Sequence, residues 1–114
     1  MAKQKGGNKA GWGGPVPSVK IIDPADGATP TQPITVKAII NLAGSAVGDV
    51  IAQLTDDAGS AAVAPSGAPT VSGRVFVFLF PPNQPTSRQY SILVSIDPAG
   101  APAPLALDEC WIQL

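Results

Sequence analysis

The chain of 114 residues contains no histidine, which removes the side chain that most often serves as general base or metal ligand. Its single cysteine, Cys110, excludes an intramolecular disulfide, and no histidine is present to activate its thiol. We expect Cys110 to be a small buried residue of a strand. No glycine-rich phosphate loop opens a helix. The sequence therefore predicts a protein that is not an enzyme and that holds no cofactor.

Charged side chains are also scarce, at 13% of the chain against roughly 25% in a typical soluble domain. A surface this neutral fits a protein that packs against others or lies outside the cell. No apolar run reaches the roughly 18 residues of a membrane-spanning helix, so we expect no membrane span. The N-terminal lysines precede no apolar segment, and we therefore expect no secretory signal peptide.

The few charges are unevenly distributed. Residues 1–14 contain Lys3, Lys5 and Lys9 and no acid, whereas residues 15–114 hold four basic side chains and all eight acids. The chain thus combines a cationic N-terminal segment with an anionic body.

A glycine- and lysine-rich arm is predicted for residues 1–17, followed by one β-domain over residues 18–114. The arm has five glycines and two prolines and little to bury. Its lysines and Trp12 are compatible with three functions of the arm. We rank a solvated tail first, docking on a neighbouring subunit with Trp12 as the anchor second, and nucleic-acid binding third. The last ranks well below the others because three lysines are few for such an arm.

Short alternating apolar runs separated by proline and glycine turns predict an all-β fold from Ser18 onward. The run Ile34–Leu42 shows the alternation best, with one face directed to the core. The predicted strands are about Ser18–Ile22, Ile34–Leu42, Val50–Thr55, Ala61–Ala64 (weak), Thr70–Phe80, Gln89–Ile96 and Leu105–Leu114. Seven short strands in a domain of this length favour an antiparallel β-sandwich.

The segment Val75–Phe80 is apolar on both faces, although a strand of a two-layer sandwich needs only one apolar face. One face carries Phe76, Phe78 and Phe80. Either the same chain covers the second face, or the phenylalanines form a subunit interface. Both interpretations stay open, and the three phenylalanines are candidate interaction residues.

The eight acids lie mostly in turns, where aspartate bonds to its own backbone. Calcium sites also use turn aspartates, but no spaced Asp-x-Asp-x-Asp string occurs. We predict no metal site, and Asp23, Asp26 and Asp97 are the best candidates if one exists.

Exposed aromatic rings would suggest a carbohydrate-binding face, and the candidates are Trp12, Tyr90 and Trp111. Tyr90 and Trp111 lie in predicted strands, so we expect both rings in the core. That expectation leaves too few free rings for a sugar site.

Two motifs lie near the two ends of the predicted domain. The sequence Pro24-Ala25-Asp26-Gly27 resembles the Pro-x-Asp-Gly turn that ends the first strand in the bacterial immunoglobulin-like domain family. The segment Tyr90–Gly100 is similar to the family's Tyr-x-aliphatic-x-Val strand with its following Asp-x-Ala-Gly turn, although Ile96 stands where a small or polar residue is usual. Tyr90 resembles the tyrosine whose hydroxyl bonds nearby backbone in the tyrosine corner.

The resemblance implies an immunoglobulin-like antiparallel sandwich of about seven strands and no particular ligand. Such domains usually lie in tandem on secreted surface proteins, and lone copies without a signal peptide resemble virion accessory proteins. We therefore expect a non-enzymatic structural subunit, such as a capsid decoration protein of a virion assembled in the host cytoplasm. Its partner would be another protein or a second copy, reached through the arm and the phenylalanine face. The alternative is a cell-surface adhesion or carbohydrate-binding module.

Overall fold

Turns rich in proline and glycine divide the chain into short strands. A computed structural model describes residues 16–59 and 61–114. Within these ranges the chain forms seven strands and one 3₁₀ turn at Val47–Asp49. The strands are β1 (Ser18–Asp23), β2 (Thr35–Asn41), β3 (Val50–Asp56), β4 (Thr70–Ser72), β5 (Val75–Leu79), β6 (Gln89–Ile96) and β7 (Ala106–Gln113).

The strands form two sheets in which every pair of neighbours is antiparallel. One sheet has four strands in the order β1-β2-β5-β4, and the other has three in the order β3-β6-β7. The prediction of an all-β sandwich with seven strands is confirmed at this level.

Alternation along the strands places the core between the two sheets. In β2, Val36, Ala38 and Ile40 are buried, while Thr35 and Lys37 between them are exposed. The core collects such inward side chains from both sheets: Ile34, Val36, Ala38, Ile40, Val50, Ala52, Leu54, Phe76, Phe78, Phe80, Tyr90, Ile92, Val94, Ile96, Cys110 and Ile112. Removal of this apolar surface from water is the main term that stabilises the sandwich.

The region between β3 and β6 differs from the prediction. The single strand expected over Thr70–Phe80 is a hairpin of β4 and β5, because the chain turns back at Gly73. Gly73 has a φ of 60° and begins a two-residue loop, a position at which hairpins favour glycine. The weak strand expected at Ala61–Ala64 supplies only one isolated bridge, from Val63 to Leu54.

β1 and β7 are edge strands of different sheets, and the chain after β1 connects them. Ala28 pairs in parallel with Ile112 of β7. Around this bridge, the Gly27 N–H donates to the Trp111 oxygen at 2.8 Å, and the Gln113 N–H donates to the Ala28 oxygen at 2.9 Å. The segment after β1 therefore extends the three-stranded sheet.

Candidate interaction surface

The three phenylalanines proposed as an interface belong to the core. Phe76, Phe78 and Phe80 are each at most 1% exposed, and the first two rings stack with centroids 6.4 Å apart. They offer no surface to a partner, so the assignment of an interaction face to them is wrong for the folded chain. The outward face of β5 is its aliphatic one, which includes the exposed Leu79.

The outward face of the four-stranded sheet combines aliphatic and basic side chains. Ile39 and Val75 are cross-strand neighbours on β2 and β5. Lys20 pairs in register with Ile39, and Lys37 pairs with Asp23 beyond a bulge in β1. This face therefore has two cations and one acid.

The outward face of the three-stranded sheet has fewer charges. This surface, the three-strand face, is formed by alternate residues of β3, β6 and β7. Its members are Ile51, Gln53, Thr55, Ser91, Leu93, Ser95, Leu107, Glu109 and Trp111. Ile51, Leu107 and Trp111 are exposed by 39%, 54% and 46%. Glu109 is its only charged member. An exposed apolar set of this kind on a sheet marks a candidate contact surface.

Ser95 occupies the middle of this face. It lies in one cross-strand row with Ile51 on β3 and Leu107 on β7. The residue is only 5% exposed, and its hydroxyl makes no hydrogen bond to any residue in the described ranges. Ser95 is shorter than both neighbours, so the two exposed aliphatic side chains flank a small buried residue whose hydroxyl has no described partner.

Acidic residues gather at the end of the three-strand face that includes this row. Asp49 immediately precedes β3 and Asp97 immediately follows β6, and the backbone N–H of Asp97 donates to the backbone oxygen of Asp49 at 2.8 Å. Asp108 and Glu109 follow Leu107 on β7. Basic side chains of the described residues lie elsewhere, on the four-stranded sheet, in its hairpin loop or in an ion pair near the start of β6: Lys20, Lys37, Arg74 and Arg88. This end of the domain is therefore acidic.

Trp111 is half exposed, so the prediction of a core position is wrong for this ring. Its indole covers Gly27, where a Cβ would lie 3.1 Å from the ring. The Asp26 carboxylate accepts a hydrogen bond from the backbone N–H of Trp111 at 3.1 Å. The Pro-x-Asp-Gly motif therefore attaches the first turn to β7. Its glycine is needed because position 27 has a φ of 79° and a side chain there would crowd the Trp111 ring.

Tyr90 is buried, as predicted. Its hydroxyl donates to the Pro85 oxygen at 2.6 Å, and burial raises the pKa of Tyr90 above its ordinary value. Beside it, the Arg88 guanidinium donates to Asp56 at 2.8 Å in an ion pair whose carboxylate is almost fully buried. The sequence does not indicate this pair, because the two residues come from separate parts of the chain with no motif in common.

Cys110 is a buried core residue, as predicted. Burial, with a smaller contribution from Asp26, raises the pKa of its thiol to about 11. The thiol lies 3.2 Å from the Pro24 oxygen and donates to it. A neutral buried thiol of this kind is a poor nucleophile near pH 7.

Strand addition is obstructed at the edge formed by β7. By alternation, Leu107, Glu109, Trp111 and Gln113 direct their N–H groups outward, and all of these groups except that of Leu107 are bonded to described residues. Glu109 donates to Asp108 at 3.0 Å, and Trp111 and Gln113 donate to Asp26 and to the segment after β1. The second carboxylate oxygen of Asp108 accepts from the Ile21 N–H at 2.8 Å, where β1 bulges.

The remaining edges are also blunted. β4 has only three residues. On β3, Leu54 exchanges two backbone hydrogen bonds with Val63, at 3.0 and 2.8 Å. Beyond this bridge, a groove of about 370 Å³ lies between β3 and the loop at residues 64–69, with Phe78 in its wall. Short and covered edges are the usual protection against pairing with other chains.

The other candidates are more dispersed. No group of three acidic or cysteine side chains in the described ranges could hold a metal ion, so Asp23, Asp26 and Asp97 do not form one. Lys3, Lys5, Lys9 and Trp12 of the arm lie outside the described residues. In the part of the chain that the structure describes, no helix has the length and apolar character to cross a membrane.

Comparisons of this chain with protein-family models, with curated proteins and with solved structures give no match. Its function is therefore argued from the geometry described above.

Proposed function

We propose that this chain is an immunoglobulin-like sandwich. The order β1-β2-β5-β4 and β3-β6-β7 corresponds to the A-B-E-D and C-F-G sheets of constant-type immunoglobulin domains. Tyr90 begins the sixth strand and bonds the backbone five residues upstream, as the tyrosine corner does. Both features support the fold assignment, and neither specifies a ligand.

We further propose that the protein is a non-enzymatic structural or accessory subunit that binds another protein or a second copy. The observation that carries this proposal is the three-strand face, on which the exposed Ile51, Leu107 and Trp111 lie among uncharged polar residues, with acidic residues at one end. Contact surfaces are commonly apolar at the centre and polar at the rim. A virion capsid decoration protein is the concrete form of the proposal, and it would place the protein in virions.

Light scattering across a concentration series tests self-association. The full-length chain and a chain that lacks residues 1–14 are compared at low salt. We expect the full-length chain to associate and the shortened chain to remain a monomer, because the cationic arm meets an anionic body. Two monomers across the whole series would contradict self-assembly through the arm and would direct the search to a foreign protein.

A carbohydrate-binding module remains the second candidate, favoured by the half-exposed ring of Trp111. Tyr90 is buried and cannot supply a second stacking surface. A panel of glycans, followed by tryptophan fluorescence in the native chain and in Trp111→Ala, tests this candidate. Quenching that depends on Trp111 would support it, and a flat response to every glycan would exclude the tested sugars.

A further inference from the structure

We infer that the three-strand face is the docking surface for residues 1–15 of a second copy, with Trp12 seated in the row of Ile51, Ser95 and Leu107. This inference rests on the proposed assembly function and names the surface that the function would use. Four features of the described domain support it: the side chains of the row, the distribution of charge, the place where the chain leaves the domain at Val16, and the occupied strand edges.

The side chains of the row suit one large ring. Ser95 is buried, and its cross-strand neighbours Ile51 and Leu107 are exposed aliphatic residues. An indole ring packed on these two aliphatic side chains would bury a large apolar area. The Ser95 hydroxyl has no partner in the described ranges, and an indole N–H is a donor that it could accept.

Charge favours this face over the opposite one. The segment of residues 1–15 has three lysines and no acid. The row is bordered by Asp49 and Asp97, and Glu109 lies one row further along. The opposite face presents Lys20 and Lys37, which would repel the lysines of the segment.

The place where the chain leaves the domain allows docking on a second copy. Val16 is 73% exposed, and its oxygen accepts from Asn41 Nδ2 at 2.9 Å. Asn41 lies in the outward row of β2, so this bond holds the exit on the four-stranded sheet. Pro17 restricts Val16 to extended backbone. The preceding 15 residues reach up to about 50 Å when extended, which is enough to cross to a neighbour.

The occupied strand edges disfavour the usual alternative. An arm that joined β7 as an extra strand would need free backbone groups, yet the outward N–H groups of Glu109, Trp111 and Gln113 are bonded. Docking through side chains on a sheet face avoids this obstruction.

Photo-crosslinking of the full-length chain tests the surface directly. A photoreactive phenylalanine analogue replaces Trp12, and unlabelled and isotope-labelled chains are mixed before irradiation. We expect crosslinks between labelled and unlabelled chains that map to peptides containing Ile51 or Leu107. Crosslinks to the four-stranded sheet, or crosslinks confined within single chains, would overturn the inference.

A matched pair of variants gives the second test. Leu107→Ser alters the three-strand face, and Leu79→Ser alters the opposite face at a similar exposure of 47%. We expect Leu107→Ser to weaken association at least tenfold, and Leu79→Ser to change it less than twofold, with circular dichroism confirming that both are folded. If the full-length chain associates through its arm and Leu107→Ser has no effect, the proposed function stands and this inference fails. If the full-length chain never associates, this inference fails and only the binding of a foreign protein remains of the proposed function.

Discussion

Phe78→Ala and Leu79→Ala remove neighbouring side chains of β5 from opposite sides of the sheet, and we expect very different losses of stability. Phe78 is 1% exposed and stacks on Phe76, whereas Leu79 is 47% exposed and faces outward. The pair therefore tests whether the phenylalanines form the core or an interface.

The magnitudes follow from burial. A buried phenylalanine removes about 150–250 Å² from water, and at about 25 cal/mol per Å² this is worth roughly 4–6 kcal/mol. Measured Phe→Ala losses in cores are about 3–5 kcal/mol, so we expect a loss of about 4 kcal/mol for Phe78→Ala. Leu79 is about half buried, and its truncation should cost about 1 kcal/mol.

Urea unfolding followed by circular dichroism measures both losses. With a slope of about 1–1.5 kcal/mol per M for a domain of this size, Phe78→Ala should lower the midpoint by about 3 M and Leu79→Ala by less than about 1 M. If Phe78→Ala does not fold, Phe78→Leu supplies a graded loss of about 1–2 kcal/mol. Equal midpoints for the two alanine variants would refute the assignment of Phe78 to the core.

Three further changes test other contacts. Tyr90→Phe keeps the buried ring but leaves its carbonyl acceptor unpaired, and urea unfolding should show a loss of about 1–3 kcal/mol; a loss below about 0.5 kcal/mol would contradict that hydrogen bond. Because burial raises the pKa of Cys110 from 9.0 to about 11, the unfolded chain releases the thiol proton first as pH rises, and from about pH 9 to 11 the native chain should lose roughly 2 kcal/mol more free energy of unfolding than Cys110→Ala; parallel pH profiles would contradict this. Gly27→Ala should lose more stability than Gly100→Ala, because both have positive φ but only Gly27 lies against Trp111; equal losses would show that the ring moves aside freely.

Alternation allowed most of the fold to be predicted from the sequence. The five strands β1, β2, β3, β6 and β7 begin and end within one residue of their predicted bounds. In each of them, apolar residues alternate with polar ones, or turn residues lie at both ends. Such a pattern predicts the bounds of a strand and which of its faces is directed inward.

The segment Thr70–Phe80 could not be predicted in the same way, because both faces of its second half are apolar. Periodicity then identifies a strand but does not say which face is inward. The core of this sandwich accepts the bulky Phe76, Phe78 and Phe80, and the outward side retains the aliphatic residues. Gly73 could have indicated the hairpin, since glycine is favoured at the start of a two-residue loop. The β-branched residues on both sides of it instead predict one continuous strand.

The interaction surface was predicted at the wrong place because it depends on pairing across the sheet. Ile51, Ser95 and Leu107 are far apart in sequence, and only the register of β3, β6 and β7 brings them into one row. Trp111 was assigned to the core from its strand position, although register places it on the outward face beside Ser91.

The closed edges and the neutral surface have a common consequence for assembly. A protein with 13% charged residues has little electrostatic repulsion to keep copies apart, so open edges would invite uncontrolled pairing. Here Asp26 and Asp108 occupy two backbone donors of β7, while β4 is short and β3 is bridged by Val63 at Leu54. Side chains, whose fit and charge can select a partner, are then the main route of association. Of the two carboxylates, Asp108 also belongs to the acidic domain end, so one residue contributes both to protection from pairing and to the attraction of a cationic segment.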